Sequence, residues 1–149
     1  MTQSAPQPSD ARFGLEASEV AERLREHGIR PTAQRVEIGM VLLARPQHLS
    51  AEVILAQVNE LDPKVSKATV YNTLGLFCRR GLVRELFVGG SKVFYDSDVS
   101  KHFHLYDVDS GELVDISTES VRIAGLPELP SGVEFEGLDV IVRVRNAGT

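Results

Sequence analysis

The first half of the chain carries apolar side chains at helical spacing, in segments separated by residues that begin or end helices. The first helix is expected from Ala17 to His27, with Gly28 as its C-terminal stop. The next three are expected to begin after residues whose side-chain oxygen can cap a helix, namely Thr32, Ser50 and Ser66. They are expected to end at three helix-breaking signals, namely Pro46, the Asp62-Pro63 pair and Gly81.

Two short β-prone runs, residues 82–88 and 91–95, follow directly around a Gly89-Gly90 pair. A Gly-Gly pair between such runs predicts a β-hairpin. Helices followed by a hairpin are the order of elements in a winged helix-turn-helix. In that arrangement the last helix enters the DNA major groove and the hairpin lies against the backbone.

Beyond Asp96 the pattern is mainly that of short strands. We expect strands at 104–108 and 112–116, a short helix around 117–123, and closing strands at 133–135 and 138–144. A unit of about 50 residues has a marginal core, so it usually needs a metal or a second subunit. The predicted fold class is therefore α+β, an N-terminal winged helix-turn-helix followed by a small α/β domain.

Charge separates the two halves of this 149-residue chain, whose net charge is −5. Residues 16–95 hold eleven Lys and Arg against nine Asp and Glu, whereas residues 96–149 hold four against eleven. This distribution fits one domain that binds a polyanion and another that binds a cation. Chance clustering of solvated charge explains it equally well, so charge alone decides little.

Two absences narrow the classes of protein further. The sequence has no apolar run long enough to span a membrane and no signal-peptide pattern at its start, so we expect a cytoplasmic protein without a membrane partner. The single cysteine, Cys78, excludes an internal disulfide and any site that needs two thiolates from one chain. We expect Cys78 to be a core residue of the fourth helix.

The fourth helix carries polar and aromatic residues near its N-terminus, where recognition helices contact bases and phosphates. These candidate DNA-binding residues are Lys67, Thr69, Tyr71 and Asn72. Tyr71 can pack on a thymine methyl group and Asn72 can hydrogen-bond a base edge. Arg30 in the first turn and Lys92 in the wing are candidates for backbone or minor-groove contacts. An ordinary polar helix surface is the alternative interpretation.

His102-Phe103-His104 is the most specific local feature. Residues two apart in a strand face the same side, so both imidazoles can bind one ion. A lone pair of this kind is weak evidence, but Asp96 lies six residues upstream at the junction of the two halves and Asp115 lies in the neighbouring predicted strand. His48 precedes the third helix. Imidazole and carboxylate ligands without thiolates suit Fe²⁺, Mn²⁺ or Zn²⁺ better than Cu(I). An ion that held ligands from both halves would couple metal binding to DNA binding.

The sequence also resembles the ferric uptake regulator (Fur) family. The motifs that carry the resemblance occur in the family's order and spacing, and they are Gly28-Ile-Arg-Pro-Thr-Ala-Gln-Arg35, His48-Leu-Ser-Ala-Glu52, Lys67-Ala-Thr-Val-Tyr-Asn-Thr-Leu74, Gly89-Gly-Ser-Lys-Val-Phe94 and His102-x-His104. The resemblance covers residues 16 to about 145. It implies a homodimeric repressor that is not an enzyme and that binds AT-rich inverted repeats of double-stranded DNA when metallated.

The resemblance also divides the chain into domains. It implies a winged-helix DNA-binding domain at 15–95 and an α/β dimerisation and metal-binding domain at 96–149. Residues 1–14, with Pro6 and Pro8 among Ser, Gln and Thr, are expected to form a flexible N-terminal tail. The family's DNA contacts fall on Arg30 and Tyr71.

The family's regulatory metal site falls on His48, Asp96, His102, His104 and Asp115. Two aspartates, with an aromatic between the paired histidines, match the peroxide-sensing (PerR) branch. In that branch bound Fe²⁺ reacts with hydrogen peroxide, a ligand histidine is oxidised, and the protein leaves DNA. The residues that correspond to the oxidised histidines are His48 and His102.

The sequence departs from the family at the structural zinc site. Asp107 and Ser110 stand where the family has a Cys-x-x-Cys pair, so we expect no structural zinc. Lys101 and Phe103 replace ligands of a further site. The cysteine-poor C-terminal half is closest to the iron-response (Irr) branch, some of whose members respond to haem, although no Cys-Pro haem motif is present. An iron- or haem-responsive regulator is therefore the alternative function.

A second alternative comes from another class of protein. A His-x-His pair with a carboxylate is also a ligand set of non-haem iron oxygenases. Their small β-barrels need more strands than residues 96–149 supply, and an upstream winged helix would have no purpose in such an enzyme.

Overall fold

The computed structural model describes residues 15–60 and 65–148. These residues fall into two compact units, the first ending at Val99 and the second beginning at Ser100. The expected tail at 1–14 and the expected stop at Asp62-Pro63 lie outside the described residues. The elements in chain order are α1 (Ala17–Glu26), α2 (Ala33–Leu42), β1 (His48–Leu49), α3 (Ala51–Val58), α4 (Lys67–Arg79), β2 (Arg84–Gly89), β3 (Lys92–Asp96), β4 (Phe103–Asp107), β5 (Leu113–Ile116), a short 3₁₀ helix (Thr118–Ser120) and β6 (Ile141–Val144).

The predicted helix caps of the first unit are confirmed. Each cap side-chain oxygen accepts a hydrogen bond from the backbone N–H three residues later, at 3.3 Å for Thr32, 3.3 Å for Ser50 and 3.1 Å for Ser66. Gly28 has a φ of +70°, which an L side chain rarely adopts, so α1 ends there as predicted. The helices enclose one apolar core, whose largest fully buried side chains include Leu24, Ile38, Leu74 and Phe77.

The predicted hairpin forms the antiparallel pair β2 and β3, and its turn contains Gly89 and Gly90 at positive φ. A third strand, β1, was not predicted and pairs with the other edge of β3. The first unit therefore combines four helices with a three-stranded sheet in the described residues, which is the predicted winged helix-turn-helix order.

The second unit is a three-stranded sheet in the order β5-β4-β6. β4 pairs antiparallel with β5 and parallel with β6. Its buried apolar side chains are Phe103, Tyr106 and Leu113. So few buried side chains make the core of this unit small, as its length predicts.

Three sequence predictions in the second unit need correction. The helix expected around 117–123 is only the 3₁₀ turn Thr118–Ser120, no strand forms at 133–135, and the last strand spans Ile141–Val144 and not 138–144. The physical reason is a lack of partners, because a strand needs a paired neighbour and an apolar face needs a core. Val133 and Phe135 are 51% and 59% exposed.

None of the helices in the described ranges is long and apolar enough to cross a membrane.

Candidate metal centre and nucleic-acid interface

Two histidines and one aspartate converge in the second unit. His104 in β4 is the cross-strand partner of Asp115 in β5, and its Nε2 lies 3.3 Å from Asp115 Oδ1. His102 lies just before β4, and its Nε2 is 3.4 Å from the same oxygen. Ligand atoms of all three residues lie within 4.8 Å of one another.

The environment of these side chains favours binding of a cation. His102 Nδ1 is 2.7 Å from the carbonyl oxygen of Ser100, so an N–H at that position can donate a hydrogen bond and leave the Nε2 lone pair for a metal. The two imidazole rings have centroids 4.5 Å apart. His104 is 2% exposed whereas Asp115 is 49% exposed, so the group is open to solvent on the Asp115 side. Nitrogen and oxygen ligands of this kind fit Fe²⁺, Mn²⁺ or Zn²⁺.

The other two candidate ligands, His48 and Asp96, lie in the first unit and are paired there. β1 and β3 place them directly opposite each other as cross-strand partners. Asp96 is 1% exposed, and its Oδ1 accepts a hydrogen bond from the backbone N–H of Asp98 at 2.9 Å. Arg84 Nη2 lies 3.9 Å from Asp96 Oδ2. Sequence alone gave no reason to expect this pairing, because β1 has only two residues and its partner strand is distant in the chain.

The candidate DNA-binding residues all lie on the accessible surface of the first unit. Exposed residues are Arg30 before α2, Lys67, Tyr71 and Asn72 on α4, and Lys92 at the start of β3. Thr69 is half-buried, and its Oγ1 accepts a hydrogen bond from the Ser66 hydroxyl at 2.9 Å. Thr69 therefore helps to close the N-terminus of α4 and is less available to DNA than the other five.

Glu52 is a residue that the sequence interpretation did not single out. The Tyr71 hydroxyl donates a hydrogen bond to Glu52 Oε1 at 2.7 Å. This bond lowers the pKa of Glu52 and raises that of Tyr71. Both residues line a groove of about 550 Å³ that also includes Glu85 and Lys92 of the hairpin. No local sequence signal marks the contact, since it joins two different helices.

The positions that depart from the family's zinc-binding pair form a turn closed by hydrogen bonds. Asp107 Oδ1 accepts from the backbone N–H groups of Asp109 and Ser110, at 2.9 and 3.2 Å. These bonds lower the pKa of Asp107. Asp109 Oδ2 accepts from the backbone N–H of Asn146 at 2.7 Å, which ties the turn to the residues after β6. The turn has no cysteine to bind zinc, and hydrogen bonds to the carboxylates of Asp107 and Asp109 stabilise it.

Comparison with known proteins agrees with this architecture. The model of the ferric uptake regulator family matches residues 26–128. The peroxide operon regulator of Bacillus subtilis is 37% identical over 100 residues, which are 67% of this chain and 69% of that protein. The peroxide-responsive repressor PerR of Staphylococcus epidermidis is 34% identical over 100 residues, 67% of each chain.

Solved structures show the same fold. The ferric uptake regulator of Pseudomonas aeruginosa, solved with manganese, has a TM-score of 0.64 at 28% identity, over 85% of this chain and 97% of that one. The ferric uptake regulator of Vibrio cholerae has a TM-score of 0.63 at 25% identity, over 85% and 98% of the two chains. The chain belongs to the ferric uptake regulator family.

Proposed function

We propose that this protein is a metal-dependent DNA-binding transcriptional repressor that responds to peroxide. The observation that carries the proposal is the convergence of His102, His104 and Asp115 around one point in the second unit. The relatives named as peroxide regulators, at 34–37% identity, support the choice of signal. The protein acts as a regulator and not as an enzyme.

The regulatory ion is Fe²⁺ or Mn²⁺, and Zn²⁺ can occupy the same ligands in purified protein. We propose that His48 and Asp96 complete the ligand set. Their cross-strand pairing in the first unit supports this, and only five residues separate Asp96 from His102 in the chain. An ion that binds ligands of both units restricts their relative motion, so metal affinity and DNA affinity become linked. The Asp107 and Ser110 positions take no structural zinc in this account.

The first unit supplies the DNA-binding surface. We assign residues 15–95 to DNA binding, with double-stranded DNA that contains an AT-rich inverted repeat as the partner. The exposed set Arg30, Lys67, Tyr71, Asn72 and Lys92 supports this assignment, and half-buried Thr69 is kept as a supporting contact. An inverted repeat matches a protein with two-fold symmetry.

The second unit supplies the dimer contact. We assign residues 96–149 to dimerisation and metal binding in a cytoplasmic homodimer. Large apolar side chains are exposed along this unit, among them Leu126, Val133 and Phe135 at 58%, 51% and 59%. So much exposed apolar surface on a small unit favours binding to a protein partner. A second copy of this chain would bury that surface in a dimer contact.

Bound Fe²⁺ would supply the electron that reduces hydrogen peroxide at this site. His48 and His102 are the side chains that we expect to be oxidised. His102 is accessible enough to meet peroxide, with 11% of its side chain exposed, whereas His104 is nearly fully enclosed. Oxidation of an imidazole weakens it as a ligand, so the ion and then the DNA are released.

Hydrogen peroxide added to Fe²⁺-loaded and to Mn²⁺-loaded protein tests this proposal. The iron form is expected to lose DNA binding and to gain one oxygen atom on a peptide that contains His48 or His102. The manganese form is expected to keep both its mass and its DNA binding. His27 is an internal control, because it lies at the C-terminal end of α1 and is not one of the proposed ligands. Unchanged mass in the iron form would exclude peroxide sensing and favour a response to iron itself.

A further inference from the structure

Tyr71 is held on two sides at the surface of the first unit. Its hydroxyl donates to Glu52 Oε1 at 2.7 Å, across from α4 to α3. The Lys67 ammonium, one helical turn earlier on α4, lies 5.9 Å from the centre of the Tyr71 ring, within the range of a cation–π contact. Tyr71 as a whole is 39% exposed, so part of its surface remains available to a partner.

The position of Glu52 makes its carboxylate a durable acceptor. Glu52 is in the first turn of α3, two residues after the Ser50 cap, where the helix dipole stabilises negative charge. The hydrogen bond from Tyr71 is the largest of the effects that lower the pKa of Glu52. The side chain is therefore ionised at neutral pH, and a bond to an ionised acceptor is stronger than one between neutral groups.

This carboxylate is unfavourable for binding a polyanion. Glu52 lines the same groove as Tyr71 and Lys92, and a negative charge there repels DNA phosphates. A residue that weakens general DNA attraction at this place needs a compensating benefit. Fixing an aromatic ring before binding is such a benefit, because the entropy of ordering the ring is then not lost on association.

We propose that Glu52 is a positioning residue for DNA recognition, which holds the Tyr71 ring in the orientation that α4 presents to a base. The inference rests on the proposed function, because it assumes that α4 recognises DNA. Glu52 acts through Tyr71 and does not itself contact a base. Removing it therefore lowers the discrimination between DNA sequences, whereas the loss of its negative charge raises overall attraction to DNA.

The test compares variants of the full-length protein in the presence of Mn²⁺. An operator is first selected from random DNA duplexes, and affinity is then measured for that operator and for a scrambled duplex. Glu52→Ala removes the acceptor and the charge, Glu52→Gln removes only the charge, and Tyr71→Phe removes the hydroxyl without touching α3. Glu85→Ala is the matched control, since it removes a carboxylate from the same groove.

We expect Glu52→Ala and Tyr71→Phe each to lower the operator-to-scrambled affinity ratio roughly 3- to 10-fold, as expected for one unfixed side chain. In the double variant, which combines Glu52→Ala with Tyr71→Phe, the affinity ratio should fall no further than in either single variant, because both substitutions remove the same bond. Glu52→Gln should stay within about twofold of the parent ratio, since an amide oxygen still accepts from the phenol. Glu85→Ala should bind both duplexes more tightly at an unchanged ratio.

Two results would overturn the proposal. If Glu52→Ala behaved like Glu85→Ala, Glu52 would act only through its charge; if the losses in the double variant were additive, the two residues would act independently. An NMR titration that resolves the Tyr71 phenol from those of Tyr95 and Tyr106 checks the bond itself without DNA, because the hydrogen bond to Glu52 raises the pKa of Tyr71 and Glu52→Ala should return it toward its ordinary value. An unchanged titration would show that the bond does not form in solution.

Failure of the proposed function gives a different pattern. If selection enriched no sequence at all, the DNA-binding function and the positioning role would both be refuted, even with a titration that shows the bond. If a sequence were enriched and the ratios did not change, only the positioning role would be refuted.

Discussion

His104 in β4 and Asp115 in β5 are direct cross-strand partners, with 3.3 Å between His104 Nε2 and Asp115 Oδ1. Opposite residues of an antiparallel pair project to the same face of the sheet, about 5 Å apart at Cβ. The backbone ladder therefore sets the spacing of these two groups. His102, from the residue before β4, reaches the same carboxylate oxygen. A cation site built on a ladder in this way is largely formed before the ion binds.

The first prediction concerns Asp115 as a metal ligand. Asp115→Asn replaces a charged oxygen donor by an amide of the same shape, so the affinity for Mn²⁺ should fall by about tenfold or more. Calorimetric titration of the metal-free protein measures it. Glu112→Gln is the control, because Glu112 is an exposed carboxylate in the same loop-and-strand segment, three residues away. Equal losses in the two variants would mean that Asp115 contributes only general negative charge.

The second prediction concerns the packing of α1 against α2. A Cβ at Gly39 would lie 2.6 Å from Val20 Cγ1, and Val20 is fully buried. Gly39→Ala gains helix propensity of about 1 kcal/mol but overpacks the core, which costs about 1–3 kcal/mol. We expect a net loss of stability, measured by urea unfolding of the metal-free protein.

Gly75 in α4 provides the matched comparison. A Cβ there would meet only Arg79 Nη1 at 3.3 Å, the end of a flexible side chain. Gly75→Ala should therefore stabilise the protein by roughly 0.5–1 kcal/mol through helix propensity. If Gly39→Ala and Gly75→Ala changed the free energy of unfolding by the same amount in the same direction, the close approach of α1 and α2 at Gly39 would be contradicted.

The third prediction concerns Cys78. Burial raises the pKa of its thiol to about 11, with a further rise from Glu85. The thiolate is the reactive form, so alkylation by iodoacetamide at pH 7 should be roughly a hundredfold slower than in unfolded protein. The rate should increase with pH up to about 11. Peroxide should leave Cys78 unmodified under conditions that oxidise a histidine. Rapid alkylation of the native protein at pH 7 would show that the thiol is not protected.

Local signals explain what the sequence predicted of the fold. Thr32, Ser50 and Ser66 bond to a backbone N–H three residues later, so each cap is encoded within one turn. The Gly89-Gly90 turn is equally local. Helices and hairpin were therefore predictable from the sequence, and the fold class follows from their order.

Contacts between distant segments explain what the sequence did not predict. The pairing of β1 with β3 and the Glu52–Tyr71 bond join separate elements and have no local signature. The expected strand at 133–135 failed for the opposite reason, because β-prone residues without a partner strand form no ladder. The candidate ligands His102, His104 and Asp115 were proposed from residue type and spacing, whereas their approach to one oxygen of Asp115 required the strand register.

The most direct test of the account is the Mn²⁺ dependence of operator binding by the parent protein and by His102→Ala. The substitution removes a partly accessible, proposed ligand just before β4, so the protein should keep its fold and its dimer, as checked by circular dichroism and light scattering. In the parent, operator affinity should rise with metal occupancy. In His102→Ala it should stay at the metal-free level across the same Mn²⁺ range. Metal-dependent operator binding by a folded His102→Ala dimer would contradict the account.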